Sequence, residues 1–180
     1  MRIVTINRFL RRVTVVLLMI GLFGCIEEEN PTYEATSRVW VGDMAPDFSV
    51  PTLDGERMTL SAERGKVVLV LFFNSWCPDC RAELSGIEQR IAPFSTSDFV
   101  LLAIARGEDH TTIAPYRQEL GLTVDLGLDA DESTYQRYAT RYVPRNYVVD
   151  RDGRIVATAT EPSPEELDAL FAQIARLATH

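Results

Sequence analysis

The chain has 180 residues, 46% of them apolar and 24% charged, with a formal charge of −8. That size and balance suit one soluble globular domain with short extensions, and exclude a disordered chain or a bundle of membrane spans. The acidic balance also argues against nucleic acid as a partner, because phosphate binding needs a cationic footprint.

The N-terminus reads as a targeting segment. Residues 1–12 hold Arg2, Arg8, Arg11 and Arg12 and no acid, and Val13 to Phe23 is an apolar run. A helix needs about 20 apolar residues to cross a bilayer core, so this run is too short to span it. A short apolar run behind arginines is the pattern of an export signal. It ends Leu22-Phe23-Gly24-Cys25, which resembles a bacterial lipobox, where the cysteine is lipidated and becomes the first mature residue. Phe23 is bulkier than the usual residue there, and a plain signal peptide followed by a cysteine is the alternative. The chain has three cysteines, so lipidation of Cys25 leaves Cys77 and Cys80 as a pair. Export puts that pair where disulfides persist. The expectation is a signal peptide over 1–24 and a lipid-anchored protein of the cell envelope, facing the periplasm or exterior.

Residues 26–38 are polar, include Glu27-Glu28-Glu29 and Pro31, and lack apolar periodicity. This predicts a solvated tether over 25–38 and a folded domain over 39–180. The acidic run resembles surface-export signals of some Bacteroidetes lipoproteins; a repulsive spacer accounts for it equally well.

Within the domain, Asp54-Gly55 separates Asp47–Leu53 from Glu56–Leu60 and predicts a hairpin. Val67 to Phe73 (VVLVLFF) is a continuous apolar run of strand length, suited to a central strand covered on both faces. Pro78 to Ile91 places Leu84, Ile87 and Ile91 on one helical face, and Pro93 stops it. Phe99 to Ala105 is a second buried strand. Helices are predicted from about Thr111 to Leu120, provided Pro115 falls in the first turn, and over Glu132 to Thr140. Tyr147–Asp150 and Arg154–Thr160 flank Arg151-Asp152-Gly153 as a terminal hairpin. Ser163, Pro164 and Glu166 form a helix start with a capping box, followed by the stripe Leu167, Leu170, Phe171, Ile174 and Leu177. The order implies α/β layers around a mixed sheet.

Cys77-Pro78-Asp79-Cys80 follows the strand 67–73 and opens a helix. Two residues between the cysteines in a helical first turn bring the sulfurs close enough to bond. At the helix start, Cys77 meets unpaired backbone N–H groups and the positive end of the dipole, which favour a thiolate. Cys80, one turn in, is expected to be more buried and to act second. The chemistry is thiol–disulfide exchange: Cys77 attacks, and Cys80 resolves the mixed disulfide. Asp79 sets negative charge near that thiolate, and Arg81 pulls the other way.

The segment FFNSWCPDCRAEL resembles the active site of thioredoxin-like proteins of the TlpA and ResA type, a branch related to the AhpC/TSA proteins. Val41–Phe48 resembles that branch's G-x-x-A-P-D-F opening, and Val143–Gly153 its segment around a proline and a D-x-x-G turn. The resemblance covers roughly residues 41–176. It implies a thioredoxin fold: a mixed central sheet flanked by helices, with an N-terminal β-hairpin extension. It further implies that Pro144 is a cis-proline beside the disulfide and that Val143 offers backbone groups to a bound thiol substrate. Trp76 would shield the disulfide on the substrate side. Glu83 matches an acid that tunes thiol protonation and transfers protons; a solvated helix-surface glutamate is the other reading. The implied partners are exported protein thiols or disulfides and a membrane or periplasmic electron donor. Cytochrome c maturation is one setting for such a reductant, and no cofactor is implied.

The chain departs from that pattern in places. Thioredoxins carry a buried aspartate six residues before the first cysteine, where this chain has Leu71. Arg145 is a polar substitution after the proline, expected to shape the substrate groove. A peroxidase of the peroxiredoxin type would need a proline and a threonine where Val70 and Asn74 stand. A copper carrier on this fold would place three residues between its cysteines and add a histidine. Only His110 and His180 are present here, both read as surface residues. An oxidant that installs disulfides is the remaining alternative.

Overall fold

A computed structural model describes residues 31–179. Cys25, the signal segment, the tether up to residue 30 and His180 lie outside them. Strands β1 (Ser49–Pro51) and β2 (Arg57–Thr59) form the antiparallel hairpin expected around Asp54-Gly55, with Gly55 at φ 86° in its turn. The main sheet has five strands: β3 (Val67–Phe73), β4 (Phe99–Arg106), β5 (Leu126–Asp129), β6 (Arg145–Val149) and β7 (Ile155–Thr160), in the order β5-β4-β3-β6-β7. Strands β3, β4 and β5 run parallel, while β6 pairs antiparallel with β3 and with β7. Every residue of β3 is buried, as its uninterrupted apolar sequence required of a central strand.

Four helices complete the domain: α1 (Pro78–Ile91), α2 (His110–Leu120), α3 (Tyr135–Tyr138) and α4 (Pro164–Ala178). Leu71 pairs with Asn146 across β3 and β6, so these two and Phe73 share one face of the sheet. Helix α2 lies on that face, Tyr116 stacking on Phe73 with centroids 5.9 Å apart. On the other face Phe72 packs against Tyr135 of α3 at 5.3 Å. Helix α4 carries the anticipated capping box of Ser163 and Glu166 and buries Leu167, Leu170, Phe171 and Ile174.

Several expectations differ from the structure. Pro115 sits in the interior of α2, past its first turn, and the helix continues at the loss of one i→i−4 bond. Asp109 accepts from the N–H groups of Thr111 and Thr112, and Gly121 closes the helix at φ 63°. The helix expected over 132–140 is the single turn α3. Its start is held by Asp129, whose carboxylate accepts from Thr134 N at 3.0 Å and Tyr135 N at 2.8 Å. Strand β5 was not anticipated; its four residues, LGLD, are too short to show a period. The hairpin packs over β5, through Leu53 N to Leu126 O at 3.0 Å and a bridge between Thr52 and Gly127.

The largest correction is at the tether. Residues 32–38 lie on the domain, with one 3₁₀ turn at Glu34–Thr36 and a bridge from Ser37 to Ala139. Arg38 N donates to Tyr138 O at 2.9 Å, and Thr140 N to Thr36 O at 2.8 Å. Polar composition suggested a solvated segment, but here hydroxyl and carbonyl groups serve as partners for buried donors of the domain.

Candidate active site

Strand β3 delivers the chain through Asn74-Ser75-Trp76 to Cys77, the N-cap of α1. Pro78 at the first helical position leaves no N–H unpaired there, and the Cys77 sulfur accepts from Cys80 N at 3.2 Å. Cys77 therefore takes the capping place usually held by a hydroxyl or carboxylate oxygen, which sets its sulfur at the positive end of the helix. Both cysteines are free thiols; Cys77 is 7% exposed and Cys80 is fully buried. Burial pushes the Cys80 thiol up, and the hydrogen bond with Cys77 adds to the shift.

Facing the motif, the Val143–Pro144 peptide bond is cis. The Cys77 thiol reaches the Val143 carbonyl at 3.6 Å, so the outer sulfur lies between the helix start and the backbone preceding Pro144. Trp76 stands beside it, 73% exposed. A groove of about 620 Å³ adjoins the site, lined by Asp79, Glu83 and Gly86 of α1, by Pro144, and by Glu161 and Leu167 across from them.

Glu83 is no surface residue. It is 6% exposed and lies one turn past Cys80 on the inner side of α1. Asn146 Nδ2 donates to its Oε1 at 2.7 Å, while Glu83 Oε2 and Asn146 Oδ1 have no partner among the described residues. Burial raises the carboxyl to about 7, the Asn146 bond offsetting part of the rise. Leu71, where thioredoxins carry their aspartate, pairs with Asn146 across the sheet. A buried acid is thus supplied from α1 instead of from β3.

Arg81 pairs with Glu119 at 3.0 Å and lies 5.5 Å from the centre of the Tyr116 ring. Arg145 does not shape the groove: it is 2% exposed, and its guanidinium is spent on Arg141, Ser37, Thr36 and Tyr33. His110 is the first residue of α2, exposed, and borders a separate depression with Asp54 and Arg117. Among the described residues no three His, Cys, Asp or Glu side chains converge as a metal-holding group.

Two supporting residues escaped the sequence reading. Asn146 lies in an apolar strand pattern, where nothing marks its contact with Glu83. Glu108 follows β4 and accepts from Ser75 N at 2.8 Å, Ser75 Oγ at 2.5 Å and Asn74 Nδ2 at 3.3 Å. It fixes the loop that carries Trp76 and Cys77.

Residues 41–158 match the AhpC/TSA family. The chain belongs to that family. A thiol-disulfide oxidoreductase ResA of Geobacillus thermodenitrificans is 26% identical over 160 residues, covering 89% of this chain and 91% of its own. A solution structure from Bacteroides thetaiotaomicron, described as a candidate protein disulfide isomerase, superposes with a TM-score of 0.77 at 36% identity, covering 81% of this chain and 94% of its own. A crystal structure from Chlorobium tepidum, described as a candidate thiol:disulfide interchange protein DsbE, gives 0.72 at 25% identity, covering 78% and 99%. The fold is that of thioredoxin, with the hairpin β1–β2 as its extension. Val70 and Asn74 stand where a peroxidase of the peroxiredoxin type would carry proline and threonine.

Proposed function

We propose that the protein is an extracytoplasmic thiol–disulfide oxidoreductase that reduces disulfides of exported proteins through Cys77 and Cys80. The observation that carries this reading is the Cys77 sulfur, capping α1 and lying 3.6 Å from the carbonyl before a cis-proline, with Cys80 buried one turn behind it. In the forward reaction the Cys77 thiolate attacks one sulfur of a partner disulfide. A mixed disulfide forms, and the partner's other sulfur leaves as a thiolate that takes up a proton. Cys80 then loses its proton and attacks Cys77, releasing the second partner thiol. Two electrons and two protons pass to the partner, and the protein is left with a Cys77–Cys80 disulfide that an electron donor must reduce again.

Glu83 is the acceptor for the Cys80 proton. It lies on the buried side of α1 with one oxygen unpartnered, and a value of about 7 lets it take and release a proton near neutrality. Val143 and Pro144 hold the partner chain next to Cys77, and the exposed Trp76 covers its edge. The reductant direction rests on the resemblance to TlpA- and ResA-type proteins, and burial that holds the Cys80 thiol up makes it the resolving group.

Location rests on the basic and apolar N-terminus, the Leu22–Cys25 segment and the cysteine count. No helix among the described residues is long and apolar enough to cross a membrane. Lipidated Cys25 serves as the anchor. Exported apocytochrome thiols are one substrate class compatible with such a reductant.

The reduction potential of residues 26–180, equilibrated in thiol buffers, tests the direction. A value near about −270 mV, as in thioredoxin, supports a reductant, whereas one near about −120 mV marks an oxidant.

A further inference from the structure

We propose that the segment Tyr33–Ser37 is a strap that positions the cis-proline loop, with Arg145 as the positioning residue joining the two. The proposal builds on the exchange reaction above but concerns what holds the loop that receives the partner.

Arg145 directly follows Pro144 and opens β6. Its side chain is buried and its acceptors are neutral oxygens: Nε donates to Arg141 O at 3.0 Å, Nη1 to Ser37 Oγ at 2.9 Å, and Nη2 to Thr36 Oγ1 at 2.5 Å and Tyr33 O at 3.2 Å. A buried guanidinium is tolerated only when its donors are paired, and most of this pairing comes from the strap. The single bond to Arg141 ties the same group to the start of the loop. Arg145 therefore spans residues 141–145, and the strap supplies the acceptors that hold it there.

Tyr33 adds two further links. Its ring meets Tyr142 edge-on, centroids 5.0 Å apart, at a residue held at φ 71°. Its hydroxyl donates to Glu161, whose own N–H donates to Pro144 O at 3.0 Å. The strap thus grips the loop through Tyr142, Arg145 and the carbonyl of Pro144, on both sides of the residues facing Cys77. Withdrawing it leaves a buried cation short of acceptors, and the nearest backbone free to move in response is 141–145. The N-terminal end of the described chain is in this way part of the thiol-binding loop's support.

The test uses the full chain in detergent and two disulfides: insulin, which must lie along Val143 and Pro144, and dithiobis(nitrobenzoate), which is too small to. Thr36→Val with Ser37→Ala is expected to slow reduction of insulin by about fivefold or more and reaction with the small disulfide by less than about twofold. Arg145→Lys is expected to do the same, and the three substitutions together to lose no more than either set, because strap and guanidinium act as one unit. Amide exchange over 142–147 should quicken in the strap variant while that of 67–73 stays unchanged. Should the larger changes melt the domain, Ser37→Ala alone, which removes one acceptor and no buried bulk, reports the same two quantities. Unaltered insulin rates, effects that multiply, or unaltered exchange over 142–147 in a folded variant overturn the proposal. A wild-type chain inert towards insulin would instead count against the exchange function, and the amide-exchange result would still decide the strap.

Discussion

Asn146 Nδ2 donates to Glu83 Oε1 at 2.7 Å, joining the strand after the cis-proline to the helix that carries both cysteines. The bond ties one carboxylate oxygen and leaves the other unpartnered in a buried position. A carboxyl held this way has a defined free end. Its raised value comes from burial, so a protonated Glu83 is the lower-energy form below about 7.

Stability should carry that signature. Between the ordinary glutamate value of 4.5 and about 7, Glu83 is protonated in the native protein and ionised in the unfolded chain. The native state then binds more protons, so its contribution to stability is complete below 4.5 and declines as pH rises through about 7. The total is on the order of 3 kcal/mol. Glu83→Gln, which keeps an acceptor for Asn146, should match the wild type near pH 4 and exceed it at pH 8. Urea titrations at both pH values measure the difference, and an equal difference at both would count against a buried ionisable Glu83. Exchange should behave oppositely, the resolving step slowing by about 100-fold without the carboxylate.

The order of attack is open to a trap. Cys80→Ser should accumulate a mixed disulfide through Cys77 when mixed with an oxidised protein substrate, visible on non-reducing gels. Cys77→Ser should accumulate little, because Cys80 is fully buried and its thiol is pushed up. Equal trapping by both variants would reverse the assigned roles.

Glu108 holds the approach to Cys77 from the far side. Glu108→Ala removes the acceptor of Ser75 N, Ser75 Oγ and Asn74 Nδ2 together. A loss of about 1–2 kcal/mol is expected from the unpaired donors. Alkylation of Cys77 by iodoacetamide should change in rate more than that of Cys80, because the loop moves and the helix does not.

Gly127 tests the extension. A Cβ there would lie 2.9 Å from Val50 Cγ2 and 3.1 Å from Met58 Sδ, so the hairpin sits directly on β5 at this point. Gly127→Ala should destabilise the domain by about 1–3 kcal/mol through overpacking, read as a lowered melting temperature. Thiol exchange below that temperature should be unaffected, since the three nearest atoms to that Cβ belong to Val50, Met58 and Ile104 and to neither cysteine.

What the sequence by itself determined is carried by short-range signals. Seven apolar residues in succession at 67–73 require cover on both faces, and the structure buries all seven. A cysteine one position before a helix-opening proline must cap that helix, and Ser163 with Glu166 must cap another. Each depends on neighbours within a turn or a strand, which a linear chain displays. Tertiary structure alone decided the rest, because the partners lie far apart in sequence. Glu83 reads equally as a proton-transferring acid and as a surface glutamate until Asn146, sixty-three residues on, meets it. Arg145 reads as a groove residue until Thr36 and Ser37 arrive from more than a hundred residues away. Residues 32–38 read as solvated for the same reason: composition records that a segment is polar, but only packing decides whether water or a buried guanidinium satisfies it.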